Sequence, residues 1–308
     1  EYTTDGQSVN IVYSGSTNGW IPIEDDTVTD APITGNEEGI FAFGLDAGGD
    51  TDITNLVSNT GVVAADVSGV GTARDSGAAC EYGGDKGIIG FGWPGSATAI
   101  TNLVSSAGVV ASDTAAVVGV TARQGPGACG YGEDKGIFAF GHSDGPTAVS
   151  NKVSNAGVVA TDTTGVGTAR RYLAACEYGA GKGIMGYGNT TTYVSMSNLV
   201  SDAGVVATDV TGVGTARYYI AACSYGGDKG IFGFGTNGAS YGVTNLVSNT
   251  GVVGTDVTAV GTARYSPAAC EYGITKAIFG FGNDGSLTGA TNLVSSSGVV
   301  ASDVSAVG

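Results

Sequence analysis

Gly227–Gly235 reads GDKGIFGFG, and nearly the same words return as GDKGIIGFG at Gly84–Gly92 and EDKGIFAFG at Glu133–Gly141. Aligning the chain on this phrase places Ile40, Ile88, Ile137, Ile184, Ile231 and Ile278 in one column, 48, 49, 47, 47 and 47 residues apart. Asn55, Asn102, Asn151, Asn198, Asn245 and Asn292 keep the period, as do Asp66, Asp113, Asp162, Asp209, Asp256 and Asp303. Six copies of this length mean a solenoid, a propeller or an array.

One unit, Ala221–Arg264, carries no helical i, i+4 stripe. It divides into four short β-prone runs separated by Gly, Asn and Asp: AACSY (a), GIFGF (b), VTNLVS (c) and VVGTDVTAV (d). The c–d turn contains NTG, suited to the positive φ of a tight hairpin. Alternating Gly in GIFGFG lets neighbouring sheets approach while Ile and Phe fill the gap. A single sheet of this size cannot bury both faces, whereas six stacked radially can, and closing the ring removes most exposed edges. Solenoid rungs take roughly 20–30 residues, shorter than this period. The pattern therefore predicts an all-β fold: a six-bladed β-propeller of four-stranded blades over residues 36–308, preceded by an extended segment, residues 1–35. Strand a is plain in five copies, so the first blade must draw its inner strand from upstream. Asp30–Gly35 (DAPITG) aligns with AACEYG, and Ser8–Ser14 is the alternative.

Composition narrows the function. The 308-residue chain holds 28 acidic and 12 basic residues, a net charge of −16 that repels nucleic-acid phosphates and anionic membrane surfaces. It contains no apolar run of about 18 residues, so no membrane insertion is expected. The chain opens on Glu1 without an initiator Met, as a processed chain or a fragment would. His142 is the one histidine, and GxSxG, CxxC and Cys–His spacings are absent, so an enzyme is not expected.

The unit resembles a kelch-type propeller blade. An Arg in TAR is followed by a small-residue strand (AAC), and DKGIFGFG stands where kelch repeats carry a strand ending in a double glycine. The likeness covers roughly residues 36–308. It departs from the family at the glycine pair, which Phe or Tyr separates, and near run d, where VVATDV replaces a Trp. The resemblance implies the propeller fold and a range of roles: adhesin, ligand binder, scaffold, occasionally oxidase. The opening, IVYSGSTNGWIPIEDDTVTD (Ile11–Asp30), is similar to fibre and appendage proteins of marine bacteriophages.

Repeated polar columns read as architecture. Arg74, Arg123, Arg170, Arg217 and Arg264 always stand in TAR, and Asp66, Asp162, Asp209 and Asp256 precede them by eight residues, Asp113 by ten. Structural Arg–Asp pairs pinning each d–a crossover are expected; the other possibility is an Arg ring at a channel mouth holding an anion. The column Cys80, Cys129, Cys176, Cys223 and Cys270 falls on successive blades about 10 Å apart, too far for disulfides, which need Cα atoms within about 7 Å. These thiols are expected to be free and buried. No cofactor is expected, and the best places for a Ca²⁺ ion are the acidic loop Leu45–Asp52, with Asp46, Asp50 and Asp52, and Asn283–Ser286 (NDGS).

What varies is confined to one rim. The a–b hairpins and c–d turns scarcely change, whereas the b–c loops (LDAGGDTD, WPGSAT, HSDGPT, NTTTYVS, TNGASYG, NDGSLTG) and the segments after TAR (DSG, QGP, RYL, YYI, YSP) differ widely. In an up-and-down blade these two variable connections share a face. That face carries Trp93, Tyr172, Tyr193, Tyr218, Tyr219, Tyr241 and Tyr265, with His142 and Asp144 beside them. Rigid aromatic surface of this kind is enriched in recognition sites, and flat rings next to hydroxyl and amide groups suit sugars. The expected function is extracellular recognition or attachment on a virus particle or appendage, contacting a cell-surface glycan or receptor protein. The N-terminal segment, with Trp20, would join it to other virion subunits. The alternative is a purely structural decoration or assembly subunit.

Overall fold

The computed structural model describes residues 10–13, 20–23, 37–258 and 260–305. The chain divides into two compact units, Glu1–Gly35 and Asn36–Gly308. In the first, β1 (Asn10–Tyr13) pairs antiparallel with β2 (Trp20–Ile23). The candidate inner strand Asp30–Gly35 lies outside the described residues, and the alternative, Ser8–Ser14, contains β1.

The second unit is all β among its described residues. Repeat one gives β3 (Gly39–Asp46) and β4 (Gly49–Val57). Repeat two gives β5 (Ala78–Tyr82), β6 (Lys86–Gly90) and β7 (Thr101–Val104), and repeat three β8 (Gly127–Tyr131), β9 (Lys135–His142) and β10 (Pro146–Val153). Repeat four gives β11 (Ala174–Tyr178), β12 (Lys182–Gly186) and β13 (Ser197–Val200). Repeat five gives β14 (Ala221–Tyr225), β15 (Lys229–Gly233) and β16 (Thr244–Val247), and repeat six β17 (Ala268–Tyr272), β18 (Lys276–Gly280) and β19 (Thr291–Val294). Repeats two to six each form a three-stranded antiparallel meander in chain order; β3 and β4 form a two-stranded sheet.

Run d is not a continuous strand. It touches the third strand of its own repeat at two isolated bridges, as in Val104↔Val110 and Thr101↔Thr114. Between them the Asn side chain of the third strand intervenes: Asn102 Nδ2 donates to Ala111 O at 3.0 Å and to Asp113 Oδ1 at 2.9 Å. One backbone bond, Ala111 N–H to Leu103 O at 2.8 Å, persists between the bridges, and the side-chain amide takes the Ala111 carbonyl while the second Asp113 carboxylate oxygen reaches elsewhere.

Consecutive repeats pack through one recurring joint, and glycine makes it possible. A Cβ on Gly186 would lie 2.8 Å from Phe232 Cζ, and one on Gly233 the same distance from Phe279 Cζ. Gly136 and Gly230 lie against the sulfurs of Cys80 and Cys176 of the preceding repeat. Repeat six packs on repeat one in the same way: Gly39 lies against Cys270, Gly280 against Phe41, and Phe41 meets Phe281 edge-on at 5.2 Å, as Phe91 meets Phe138 at 5.0 Å. Gly273 N–H donates to Glu37 O at 2.7 Å, matching Gly83 N–H to Asp134 O. Every repeat therefore has two neighbours, an arrangement compatible with a β-propeller.

Candidate binding face

Five arginines anchor this face from inside. Arg74, Arg123, Arg170, Arg217 and Arg264 are fully buried. In repeat five, Arg217 Nε donates to Phe234 O at 2.6 Å, Nη1 to Thr215 O at 2.9 Å and Nη2 to Asn245 Oδ1 at 2.7 Å. Each guanidinium also stacks on an aromatic ring of the preceding repeat, from Arg123 over Phe91 at 4.0 Å to Arg217 over Tyr187 at 4.5 Å. Those rings belong to residues with positive φ, such as Phe91 (63°) and Tyr187 (64°), so one residue offers its carbonyl to its own repeat and its face to the next. Burial lowers the proton affinity of these guanidinium groups, to about 10 for Arg123 and Arg170, and the facing carboxylates push it back up. They are interior locks and expose no ring of charge for an anion.

The Arg–Asp pairing is displaced by one repeat from the spacing expected in sequence. Arg170 faces Asp209 and Arg217 faces Asp256, both at 3.9 Å, and Arg264 faces Asp303 at 3.8 Å. The reason is topological: TAR opens the repeat that follows its preceding Asp. The Asp works mainly on Thr. Asp113 accepts the Thr72 N–H at 3.1 Å and the Thr72 hydroxyl at 2.6 Å, tying run d to the start of its own repeat. Asp162, Asp209 and Asp256 repeat this on Thr121, Thr168 and Thr215, while Asp66 accepts from Asn55. Despite some desolvation, the Thr and Asn donors hold Asp113, Asp162, Asp209 and Asp256 below the ordinary aspartate value.

The residue after TAR pairs with the first residue of the b–c connection: Asp75↔Trp93, Gln124↔His142, Arg171↔Asn189, Tyr218↔Thr236 and Tyr265↔Asn283. Both variable segments therefore lie together. The next residue has positive φ in every case: Ser76 53°, Gly125 57°, Tyr172 52°, Tyr219 51° and Ser266 52°. Backbone bonds link them from repeat to repeat, Gly125 N to Ser76 O (2.7 Å), Tyr172 N to Gly125 O (2.8 Å), Tyr219 N to Tyr172 O (3.1 Å) and Ser266 N to Tyr219 O (2.8 Å). Left-handed backbone is unfavourable for tyrosine, and such strain is held where the surroundings fix it.

The result is a contiguous tyrosine surface from repeats four, five and six. Ring centroids lie 4.3 Å apart for Tyr172–Tyr219, 4.5 Å for Tyr218–Tyr219, 5.1 Å for the stacked pair Tyr193–Tyr218 and 6.1 Å for Tyr219–Tyr265. Burial raises the proton affinity of Tyr219 and Tyr218, so both phenols stay neutral. Tyr193 and Trp93 remain well exposed. Trp93 has no aromatic partner among the described residues. Tyr241 is also outside the cluster; its backbone bonds Gly235 O and Arg264 N–H. His142 and Asp144 sit in repeat three, where burial first and Arg171 second lower the imidazole affinity and Asp144 opposes them.

Two features were not singled out in the sequence. Arg171 follows Arg170 as a second arginine, lies 5.3 Å from the Tyr172 ring, and leaves its buried Nε without a hydrogen bond; the doublet RR was its only signal. Glu81, Glu177 and Glu271 recur in the first strand of alternate repeats, with Gly130 and Ser224 between them. The Glu177 carboxylate covers Gly130, where a Cβ would come within 3.0 Å of its Cδ. Burial and mutual repulsion raise Glu177 to about 7 and Glu271 to about 8, and burial raises Glu81.

The five cysteines are free; Cys129, Cys176 and Cys223 are buried, whereas Cys80 and Cys270 are only partly so. Asp46 accepts the Gly48 N–H at 2.6 Å, and Asp50 lies in the hairpin opposite Leu45. That stretch and the HSDGPT segment are hairpins rather than open loops, because β3–β4 and β9–β10 run on almost to their turns. No group of His, Cys, Asp and Glu suited to a metal ion occurs among the described residues. No known protein-family model matches the chain, and no curated protein matches its sequence.

Proposed function

We propose that residues 36–308 form a six-bladed, kelch-like β-propeller whose fourth run completes each blade through its two bridges, and that it is a non-catalytic recognition module. The matching joints between repeats six and one support the ring. In this reading the variable face binds a glycan or protein on a cell surface, and the chain is displayed outside the cell, on a virus particle or appendage. The tyrosine cluster carries the reading. Five rings from three repeats converge where the sequence varies most, two of them, Tyr172 and Tyr219, on backbone held in a left-handed conformation. Aromatic surface built at such cost suits contact with a ligand.

One observation favours the structural alternative. Val62, Val109, Val158, Val205, Val252 and Val299, one from each c–d turn, are 59–66% exposed, giving the constant face a recurring apolar point. The two readings therefore use opposite faces. The test is binding of the purified chain to microbial cells and a glycan panel, beside a Tyr193→Ala, Tyr218→Ala variant. Saturable binding lost in the variant supports recognition by the tyrosine face; binding that survives it, or no binding by folded wild type, overturns it.

A further inference from the structure

The twelve basic residues are distributed unevenly. Five arginines are the buried locks. Lys86, Lys135, Lys182, Lys229 and Lys276 each open a second strand directly after the constant a–b turn. Lys152 donates to Ala203 O at a c–d turn, again on the constant side. Among the described residues, Arg171 alone places a cation on the variable face.

Like the lock Arg123, whose Nε and Nη2 are unpaired, Arg171 has a buried nitrogen without a partner; unlike that lock it stands at a variable connection, against Tyr172. The Arg171 Nε is buried and unpaired, a state that is unfavourable where no ligand or water restores the bond. The neighbouring His142 Nδ1 is also buried and unpaired, in the adjacent repeat. Arg171 also lies 5.3 Å from the Tyr172 ring and acts electrostatically on Tyr218, which stacks on Tyr193 with planes 18° apart. Unsatisfied nitrogen thus stands beside a stack of tyrosine rings whose exposed member is Tyr193.

We infer that Arg171, with His142 beside it, binds the anionic substituent of an acidic saccharide whose ring lies against the exposed Tyr193, which Tyr218 backs. A guanidinium fork matches a carboxylate or sulfate in two parallel hydrogen bonds, and aromatic faces take the C–H face of a sugar. The chain's charge of −16 works against long-range attraction of such a polymer. Affinity must therefore come from short contacts, and it does not collapse with salt as attraction to a polycation does. The inference rests on reading the tyrosine face as a recognition surface and adds the class of ligand.

The test measures binding of wild type, Arg171→Gln, Arg171→Lys and Tyr218→Ala to polygalacturonate, dextran sulfate and unmodified dextran, with thermal unfolding confirming that each variant is folded. Wild type binds at least one acidic polymer about tenfold more tightly than dextran, Arg171→Gln loses about that factor, and Arg171→Lys recovers part of it. Preference for polygalacturonate assigns a carboxylate, and preference for dextran sulfate a sulfate. Equal binding of dextran, or an undiminished Arg171→Gln, overturns the acidic assignment; if Tyr218→Ala still abolishes binding, the tyrosine-face reading stands without it. Binding to no saccharide by any variant overturns the assignment, and loss of a proteinaceous receptor through Tyr218→Ala would then keep only the recognition surface.

Discussion

Replacing Glu177 and Glu271 by Gln should make the protein more stable at pH 8.5 and remove most of a downward slope in stability with pH. Both carboxyls have folded-state affinities above the ordinary 4.5, about 7 and about 8. Their favourable, protonated contribution is complete below the unfolded value and is lost as pH rises through the folded values. Each tenfold change in proton affinity is worth about 1.4 kcal/mol, so the unscreened sum would be on the order of 8 kcal/mol. Both groups touch solvent, Glu177 repels Glu271, and Glu81 acts on both while Glu133 acts on Glu177, so screening reduces the expected loss to about 1–2 kcal/mol. His142 acts in the opposite sense: its affinity is lowered, so unfolding takes up a proton below about pH 6.5 and stability rises with pH there. The double variant retains His142, so subtraction isolates the carboxylates. Urea unfolding followed by circular dichroism at pH 5, 6, 7, 8 and 8.5 should give a wild-type stability that falls relative to the variant by that amount. A difference that stays constant across the window, or grows in favour of wild type with pH, would refute the reasoning.

The joints and locks make further predictions. Gly186→Ala drives a methyl into the Phe232 ring and should cost roughly 1–3 kcal/mol by overpacking. Gly230→Ala meets the Cys176 sulfur at a position where repeat six already carries Ala277, and should cost less, both read by urea midpoint. Arg217→Met orphans Asn245 Oδ1 and two carbonyls and should destabilise by about 2–4 kcal/mol, whereas Asp256→Asn, 3.9 Å from the guanidinium, should cost about 1 kcal/mol. The five thiols, whose proton affinity burial raises, should resist an aromatic disulfide reagent until the chain is denatured; fast native labelling would place a cysteine outside the core.

The repeat was legible because glycine is required at each joint. GIFGFG recurs since a side chain at Gly186 or Gly233 would strike the next repeat's phenylalanine. Run d was read as a strand because VVGTDV has β propensity; its intermittent pairing depends on Asn245 and Asp256 meeting across a turn, 11 residues apart. The Arg–Asp pairing differs from its sequence spacing for the same reason: eight residues along the chain is nearer than 39, while the fold brings the more distant pair together. The two variable connections converge, as expected from a meander, but which aromatics touch depends on the left-handed backbone at Tyr172 and Tyr219, which nothing in RYL or RYYI announces. Trp93 and Tyr241 look equivalent in sequence and stand apart in space. Glu177 is unremarkable in CEY and becomes distinctive only where Gly130 leaves room for it.

The most direct measurement is hydrogen–deuterium exchange on the chain with and without the saccharide that it binds most tightly. Slowed exchange is expected at residues 171–172, 189–193, 218–219 and 265, the segments that carry Arg171 and the tyrosines. Slowed exchange confined to the c–d turns carrying Val109, Val205 and Val252, with the tyrosine segments unchanged, would contradict this expectation.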